Sequence, residues 1–247
     1  MPSWVILWLQ SDGMGYSLKV NLAAPGNYGG SRAATDIRYL VLHYTGNDGD
    51  TAEGNGKYFA NNVVKASAHY FVDDDSVIQA VPDRSVAWSV GGSKWGDCKQ
   101  TGGGTMYGII HNFNSLNVEL CDTLKDGQYQ ASEKTLENAV SLCRQLMKRY
   151  EIPITNVYRH FDVTGKHCPA YFMDEAAWLE FKSRLEAPMD NTPRDFAKEA
   201  VEWAQKNHIL RGDATGNLKL SETPTREELM VFLHRFAQHI SEHMSKI

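Results

Sequence analysis

The chain has 247 residues, 42% of them hydrophobic and 22% charged, with a formal net charge of -5. Its length exceeds a typical single domain, so one core plus a smaller module is expected. The composition excludes a largely disordered chain, and an acidic balance without a dense Lys/Arg stripe excludes both a nucleic-acid binder that works by neutralising phosphates and a basic membrane-adhering patch.

At the N-terminus, Val5 to Leu9 form an apolar run with no basic residue before it. The run is short for a secretory leader, so no signal peptide is read, and no other segment has the apolar length of a membrane span. Residues 1–13 read as either part of the natural protein or an extension that adds nothing to the fold. The first strong strand is Ile37 to Tyr44, which delivers His43 to the edge of a polar loop, Thr45 to Asp50. Thr51 caps a helix reaching about Asn62, and His69 to Asp73 and Val77 to Val81 make a hairpin around an acidic turn.

Leu116 to Cys121 alternates as a further strand, with Asn117 and Glu119 on one face and Val118 and Leu120 on the other. An amphipathic helix spans Ser132 to Tyr150, with Leu136, Val140, Cys143 and Met147 on its apolar stripe. A short extended segment (Ile152 to Tyr158), a polar loop (Arg159 to Pro169) and a helix (Asp174 to Leu185) close the first domain. This order predicts an α/β fold, a central mixed β-sheet flanked by helices, over residues 15–186. A Pro-containing linker at 187–193 then leads to a small helical module, 194–247, with helices near Arg194 to Asn207 and Thr225 to His239.

Four cysteines at wide spacings, Cys98, Cys121, Cys143 and Cys168, predict free thiols, with packing the ordinary role of Cys121 and Cys143. Catalytic zinc takes three protein ligands of His, Cys or carboxylate type and keeps a fourth position for water. His43 at a strand end, with His160 and Cys168 flanking seven residues that include Gly165, offers such a set. His167 competes with Cys168 on residue type alone.

The segments around these residues occur together in one order: Leu40-Val41-Leu42-His43-Tyr44-Thr45, Ser67-Ala68-His69-Tyr70-Phe71-Val72-Asp73, Val81-Pro82-Asp83 with Ala87-Trp88, Asn117-Val118-Glu119-Leu120, and His160-Phe161-Asp162 with Gly165-Lys166-His167-Cys168-Pro169. Over roughly residues 20–185 the chain thereby resembles the amidase-2 group of N-acetylmuramoyl-L-alanine amidases, which includes phage lysins and the peptidoglycan recognition proteins. The resemblance implies one Zn2+ held by His43, His160 and Cys168, Glu119 as acid/base, and Lys166 beside the developing oxyanion. It also implies peptidoglycan as substrate, cut between N-acetylmuramic acid and L-alanine. Each role suits its residue: the ion lowers the pKa of a water, a carboxylate can pass a proton to the leaving amine, and an ammonium stabilises negative charge on oxygen.

His69 lines the substrate cleft, supplies a hydrogen bond behind the ligands, or packs in the core, and Trp88 is a sugar or peptide platform or a buried tryptophan. The family often places another His beside this Trp, where this chain has Ser89 and Val90. Rival readings are a protein of the same fold that binds peptidoglycan without cutting it, and a zinc peptidase acting on stem peptides.

Ala197 to Ala204, Ile209 to Asp213, Gly216-Asn217 and Pro224 to Leu229 resemble one S-layer homology repeat. That resemblance implies binding of an anionic secondary wall polymer, with Arg226 as the matching residue. A single copy of about 50 residues buries little surface, so the module is expected to lean either on the first domain or on copies from other chains, the second alternative being homo-oligomerisation. The reading that joins these parts is a phage or prophage lysin, made in the bacterial cytoplasm and reaching the cell wall through a phage-encoded pore; the alternative is a host wall-remodelling enzyme, which should carry an export signal.

Overall fold

The computed structural model describes residues 16–186, 190–212 and 218–244. The N-terminal extension, residues 187–189 of the expected linker, and Asp213, Gly216 and Asn217 of the C-terminal segment lie outside the described residues. The chain divides into two compact units, Met1–Glu186 and Ala187–Ile247.

In the first unit, β1 (Ser17–Val20) and β2 (Tyr28–Ser31) precede the long strand β3 (Tyr39–Asp48). Helix α1 (Ala52–Asn61) starts at Thr51, whose Oγ1 accepts a hydrogen bond from the Gly54 N–H at 3.0 Å. Strands β4 (Tyr70–Val72), β5 (Ser76–Gln79) and β6 (Ser85–Ala87) and the short helix α2 (Cys98–Thr101) follow. Strand β7 (Ser115–Lys125) turns into β8 (Gln128–Gln130), and α3 (Glu133–Tyr150) begins where Ser132 Oγ accepts from the Thr135 N–H at 2.9 Å. The unit ends with β9 (Val157–Arg159), α4 (His160–Thr164) and α5 (Glu175–Leu185).

Seven strands make one mixed sheet in the order β1-β5-β4-β7-β3-β9, with β8 paired to β7, while β2 and β6 form a separate antiparallel pair. Strand β3 is parallel to both its neighbours, with Val41 opposite Asn117 and His43 opposite Glu119. Alternation sends Leu40 and Leu42, with Leu116, Val118 and Leu120, to the other face, where they pack with Leu142 and Leu146 of α3 and Trp178 and Phe181 of α5. Each such side chain contributes roughly 1.5–3 kcal/mol by leaving water. A one-residue slip would exchange the two faces, so this apolar layer also fixes where His43 and Glu119 point.

Two expected loops are ordered differently. Strand β3 runs on through Asp48, past the turn expected at Thr45, because a register shift between Tyr44 and Asp48 absorbs Gly46 at φ +64° while the Asp122 carboxylate accepts from the Gly46 N–H at 3.0 Å. The expected polar loop from Arg159 to Pro169 opens with α4, a helix of five residues and too short to show a periodicity. Asp162 accepts from the Arg159 N–H at 2.8 Å at its start, and Gly165, at φ +87°, ends it. Strands β1, β2, β6 and β8 were not anticipated; each has only three or four residues.

In the second unit, α6 (Lys198–Lys206) starts later than the expected Arg194, after a 3-10 turn at Asp195–Ala197, and α7 (Arg226–Met244) runs past the expected end at His239. The Trp203 ring lies 6.3 Å from Phe236 and 5.4 Å from His239. A reciprocal cap starts α7: the Thr225 N–H donates to Glu228 Oε2 at 2.7 Å and the Glu228 N–H donates to Thr225 Oγ1 at 3.1 Å. No helix among the described residues is long and apolar enough to cross a membrane.

Candidate metal centre and active site

Strands β3, β7 and β9 run parallel, so their carboxyl ends share one edge of the sheet, the place where open α/β sheets gather ligands. His43 and Glu119 leave that edge side by side. Arg159, the last residue of β9, pairs in register with Leu42, and His160 therefore emerges next to His43 as the first residue of α4. Cys168 returns to the same point because the Phe161 N–H donates to the Cys168 carbonyl at 3.0 Å.

The outcome is a compact donor set. The ligand atoms of His43, His160 and Cys168 all lie within 4.8 Å of one another, and all three residues are buried. His43 Nδ1 is 3.1 Å from His160 Nδ1 and 3.9 Å from Cys168 Sγ. Ligands on a tetrahedral zinc stand roughly 3.3–3.6 Å apart, given bonds of about 2.0 Å to nitrogen and 2.3 Å to sulfur. His167, the other candidate beside Cys168, is half exposed, with its Nε2 3.7 Å from Asp97 Oδ2.

Hydrogen bonding fixes how His43 presents itself. Asn117 Nδ2 donates to Ser115 Oγ at 3.2 Å, so its Oδ1 is free to accept from His43 Nε2 at 3.0 Å. His43 thus carries its proton on Nε2 and turns a bare Nδ1 toward His160 and Cys168. Burial lowers the pKa of His43 to about 4 and that of His160 to about 2, aided at His160 by His43 and Lys166, so both rings are neutral. Burial also pushes the Cys168 thiol up, and only a backbone hydrogen bond from Tyr44 and the charge of Lys166 oppose this. Two neutral imidazoles, one with its Nδ1 bare, and a buried sulfur form a donor set well suited to sharing a soft divalent cation, which would reverse the shift on the thiol. The residues fit zinc.

Glu119 Oε1 stands 3.9 Å from His43 Nδ1, and its side chain is 20% exposed. Burial raises its pKa to about 8, against the pull of Lys166. Lys166 is exposed at the rim of the cluster, and its charge acts on His43, His160, Cys168 and Glu119. The sequence-predicted ligands and both expected catalytic groups therefore share one site.

The other candidates sit elsewhere. His69 is fully buried, its Nδ1 accepting from the Asn117 N–H at 3.1 Å and its Nε2 3.1 Å from the Ser85 carbonyl. It cannot line a cleft; it braces Asn117 from behind, and Asn117 braces His43. Trp88 is partly buried beside Gly29 and exchanges hydrogen bonds with Ser67 at 3.1 and 3.2 Å. Arg226 is exposed as the first residue of α7, in the second unit.

Three contributors were missed in the sequence. Asn117 stands in the sequence as a polar neighbour of Glu119 within a family-like segment, with no role of its own; the cross-strand register reveals its bond to His43. Arg159, 6% exposed, donates to Asp162 at 2.8 Å, to Glu175 at 2.9 Å and to the Phe172 carbonyl at 2.8 Å, tying both ends of the ligand loop together. The Tyr171 hydroxyl is buried with no hydrogen-bond partner, within electrostatic reach of Asp122, Cys168 and Glu119, and so is Glu119 Oε2. The position of Tyr171, three residues after Cys168, was the available signal.

A profile of the N-acetylmuramoyl-L-alanine amidase family matches residues 33–171. The chain is 34% identical over 161 residues to the N-acetylmuramoyl-L-alanine amidase BlyA of Bacillus subtilis, covering 62% of this chain and 42% of that one. It is 27% identical over 223 residues to XlyB of the same organism, covering 90% and 65%. It therefore spans about half the length of these curated relatives. Among solved structures, it superposes on PlyL with 30% identity and a TM-score of 0.53, covering 70% of this chain and 98% of that one. The PlyG catalytic domain gives 29% identity and a TM-score of 0.54, covering 72% and 99%.

Proposed function

The chain belongs to the N-acetylmuramoyl-L-alanine amidase family, and from that premise we propose that it is a zinc-dependent hydrolase of the amide joining the lactyl group of N-acetylmuramic acid to L-alanine in peptidoglycan. The observation that carries this reading is the convergence of His43, His160 and Cys168 within 4.8 Å, with Glu119 Oε1 3.9 Å from His43. A Zn2+ bound there supplies Lewis acidity toward water and the scissile carbonyl.

The chain's own groups do the remainder. Glu119 accepts the proton of the attacking water and returns it to the leaving L-alanine nitrogen. Lys166 places positive charge where the carbonyl oxygen becomes negative, an interaction stronger in the transition state than in the neutral amide. Asn117 holds His43 in the tautomer that keeps Nδ1 bare.

The second unit we assign to retention on the wall, through an S-layer-homology-like surface that includes Arg226, with homo-oligomerisation as a further role. An arginine at a helix start suits an anionic polymer. The likeness to a mutant endolysin from Bacillus subtilis, at 25% identity and a TM-score of 0.53, supports a lysin role; that it is a phage or prophage lysin, made in the bacterial cytoplasm and reaching the wall through a phage-encoded pore, is part of the same proposal. Digestion of purified walls tests the reaction: new L-alanine amino termini are expected with zinc-loaded protein. Their absence overturns the assignment, whereas sugar reducing ends identify a glycosidase and cuts within the stem identify a peptidase.

A further inference from the structure

The segment before β7 crosses the loop that joins the two later ligands. The Trp95 N–H donates to the Thr164 carbonyl at 2.8 Å, the Gly104 N–H to Phe161 at 2.9 Å and the Met106 N–H to Asp162 at 2.8 Å, so this segment is fastened along α4. Gly165 allows the close approach: a Cβ there would collide with Cys98 Sγ and stand 3.2 Å from Trp95 Cβ.

Trp95, held in this way, leaves 46% of its surface exposed. Its indole stacks with His167 at 6.0 Å and 24°, and His167 lies between Lys166 and the ligand Cys168. Asp97 stands beside the pair, one carboxylate oxygen 3.7 Å from His167 Nε2 and the other buried with no hydrogen-bond partner. A large aromatic ring half in water, on a backbone bonded to the ligand loop, has given up burial that a packing role would have used. Flat aromatic surface beside an acceptor carboxylate suits one kind of ligand well. The C–H groups on a pyranose face meet the negative face of the indole, and a hydroxyl or acetamido N–H can donate to the carboxylate.

We infer that Trp95, braced by His167 and flanked by Asp97, is a stacking platform for an N-acetylated sugar of the glycan strand, holding the strand beside the metal centre. The inference rests on the proposed substrate and deepens it by naming the residue that grips the sugar side of the scissile bond.

The test separates the two claims by reading binding rather than cleavage. Zinc-loaded full-length Glu119→Gln protein is titrated calorimetrically with peptide-free glycan chains of alternating N-acetylglucosamine and N-acetylmuramic acid, and separately with the stem peptide alone. Adding Trp95→Ala is expected to weaken glycan binding at least about tenfold, with Trp95→Phe retaining most of it, stem-peptide affinity unchanged and zinc content equal in all variants. The inference is overturned if the parent protein does not bind the glycan, if Trp95→Ala binds it as the parent does, or if only stem-peptide affinity falls. It is likewise overturned if both Trp95 variants lose zinc, which makes Trp95 a brace of the ligand loop. Failure of the wild-type protein to release L-alanine amino termini would strike the proposed reaction and leave this binding result standing.

Discussion

Glu119 is pulled in two directions: burial raises its pKa to about 8, and Lys166 pulls it back. A divalent cation beside it would lower it further, toward the ionised form that a general base requires. Replacing Glu119 with Gln keeps the shape and removes the proton carrier. The expected result is a fall in turnover of about a hundred- to ten-thousand-fold with zinc content unchanged, checked by amino-terminus release and metal analysis. The buried histidines set a second expectation. His69 is lowered to about 3 by burial and the nearby Arg32, and His43 and His160 to about 4 and about 2. Below pH 6.5 the unfolded chain gains protons at these rings that the native chain does not, so stability is fully present above that pH and is lost as pH falls toward the folded values. In chelator-treated protein, urea denaturation between pH 7 and pH 5 should show this loss, on the order of 1 kcal/mol per histidine per pH unit below about 6, offset in part by Glu119, whose raised pKa adds stability as pH falls through the same window. A flat profile would contradict the buried neutral assignment.

At the scale of elements, α4 and its terminating glycine set the distance between His160 and Cys168. Gly165 adopts φ +87°, and any side chain there meets Cys98 and Trp95. Gly165→Ala should therefore cost about 1–3 kcal/mol and weaken zinc retention together, read by thermal unfolding with and without chelator. An unchanged zinc affinity would show that the loop is set by something else, such as the Arg159 brace. The strands bearing His43 and Glu119 were legible because Leu40, Leu42, Val118 and Leu120 alternate with them. The candidate ligand set was legible only together with the segments around it, since on residue type alone His167 competes with Cys168 and nine histidines make a His/Cys pair common. Asn117, Arg159 and Tyr171 were not, since their roles depend on which strands are neighbours and on what covers the ligand loop. His69 shows the same limit: its place in the chain was read, but not that Asn117 and Ser85 would occupy both its nitrogens.

At the scale of the molecule, the chain divides into two units, to which we assign cutting and holding respectively. Full-length Arg226→Ala should pellet less with insoluble walls while cleaving soluble muramoyl-peptides at the wild-type rate; equal pelleting would remove Arg226 from the wall-binding role. The central claim concerns the first unit alone, that His43, His160 and Cys168 grip one zinc on which cleavage depends. The most direct measurement is metal content of wild-type and Cys168→Ser protein, paired with release of L-alanine amino termini from the same walls. The wild type is predicted to carry one zinc per chain and to cleave, and Cys168→Ser to lose most of both; a Cys168→Ser protein that cleaves at the wild-type rate without zinc would contradict the account.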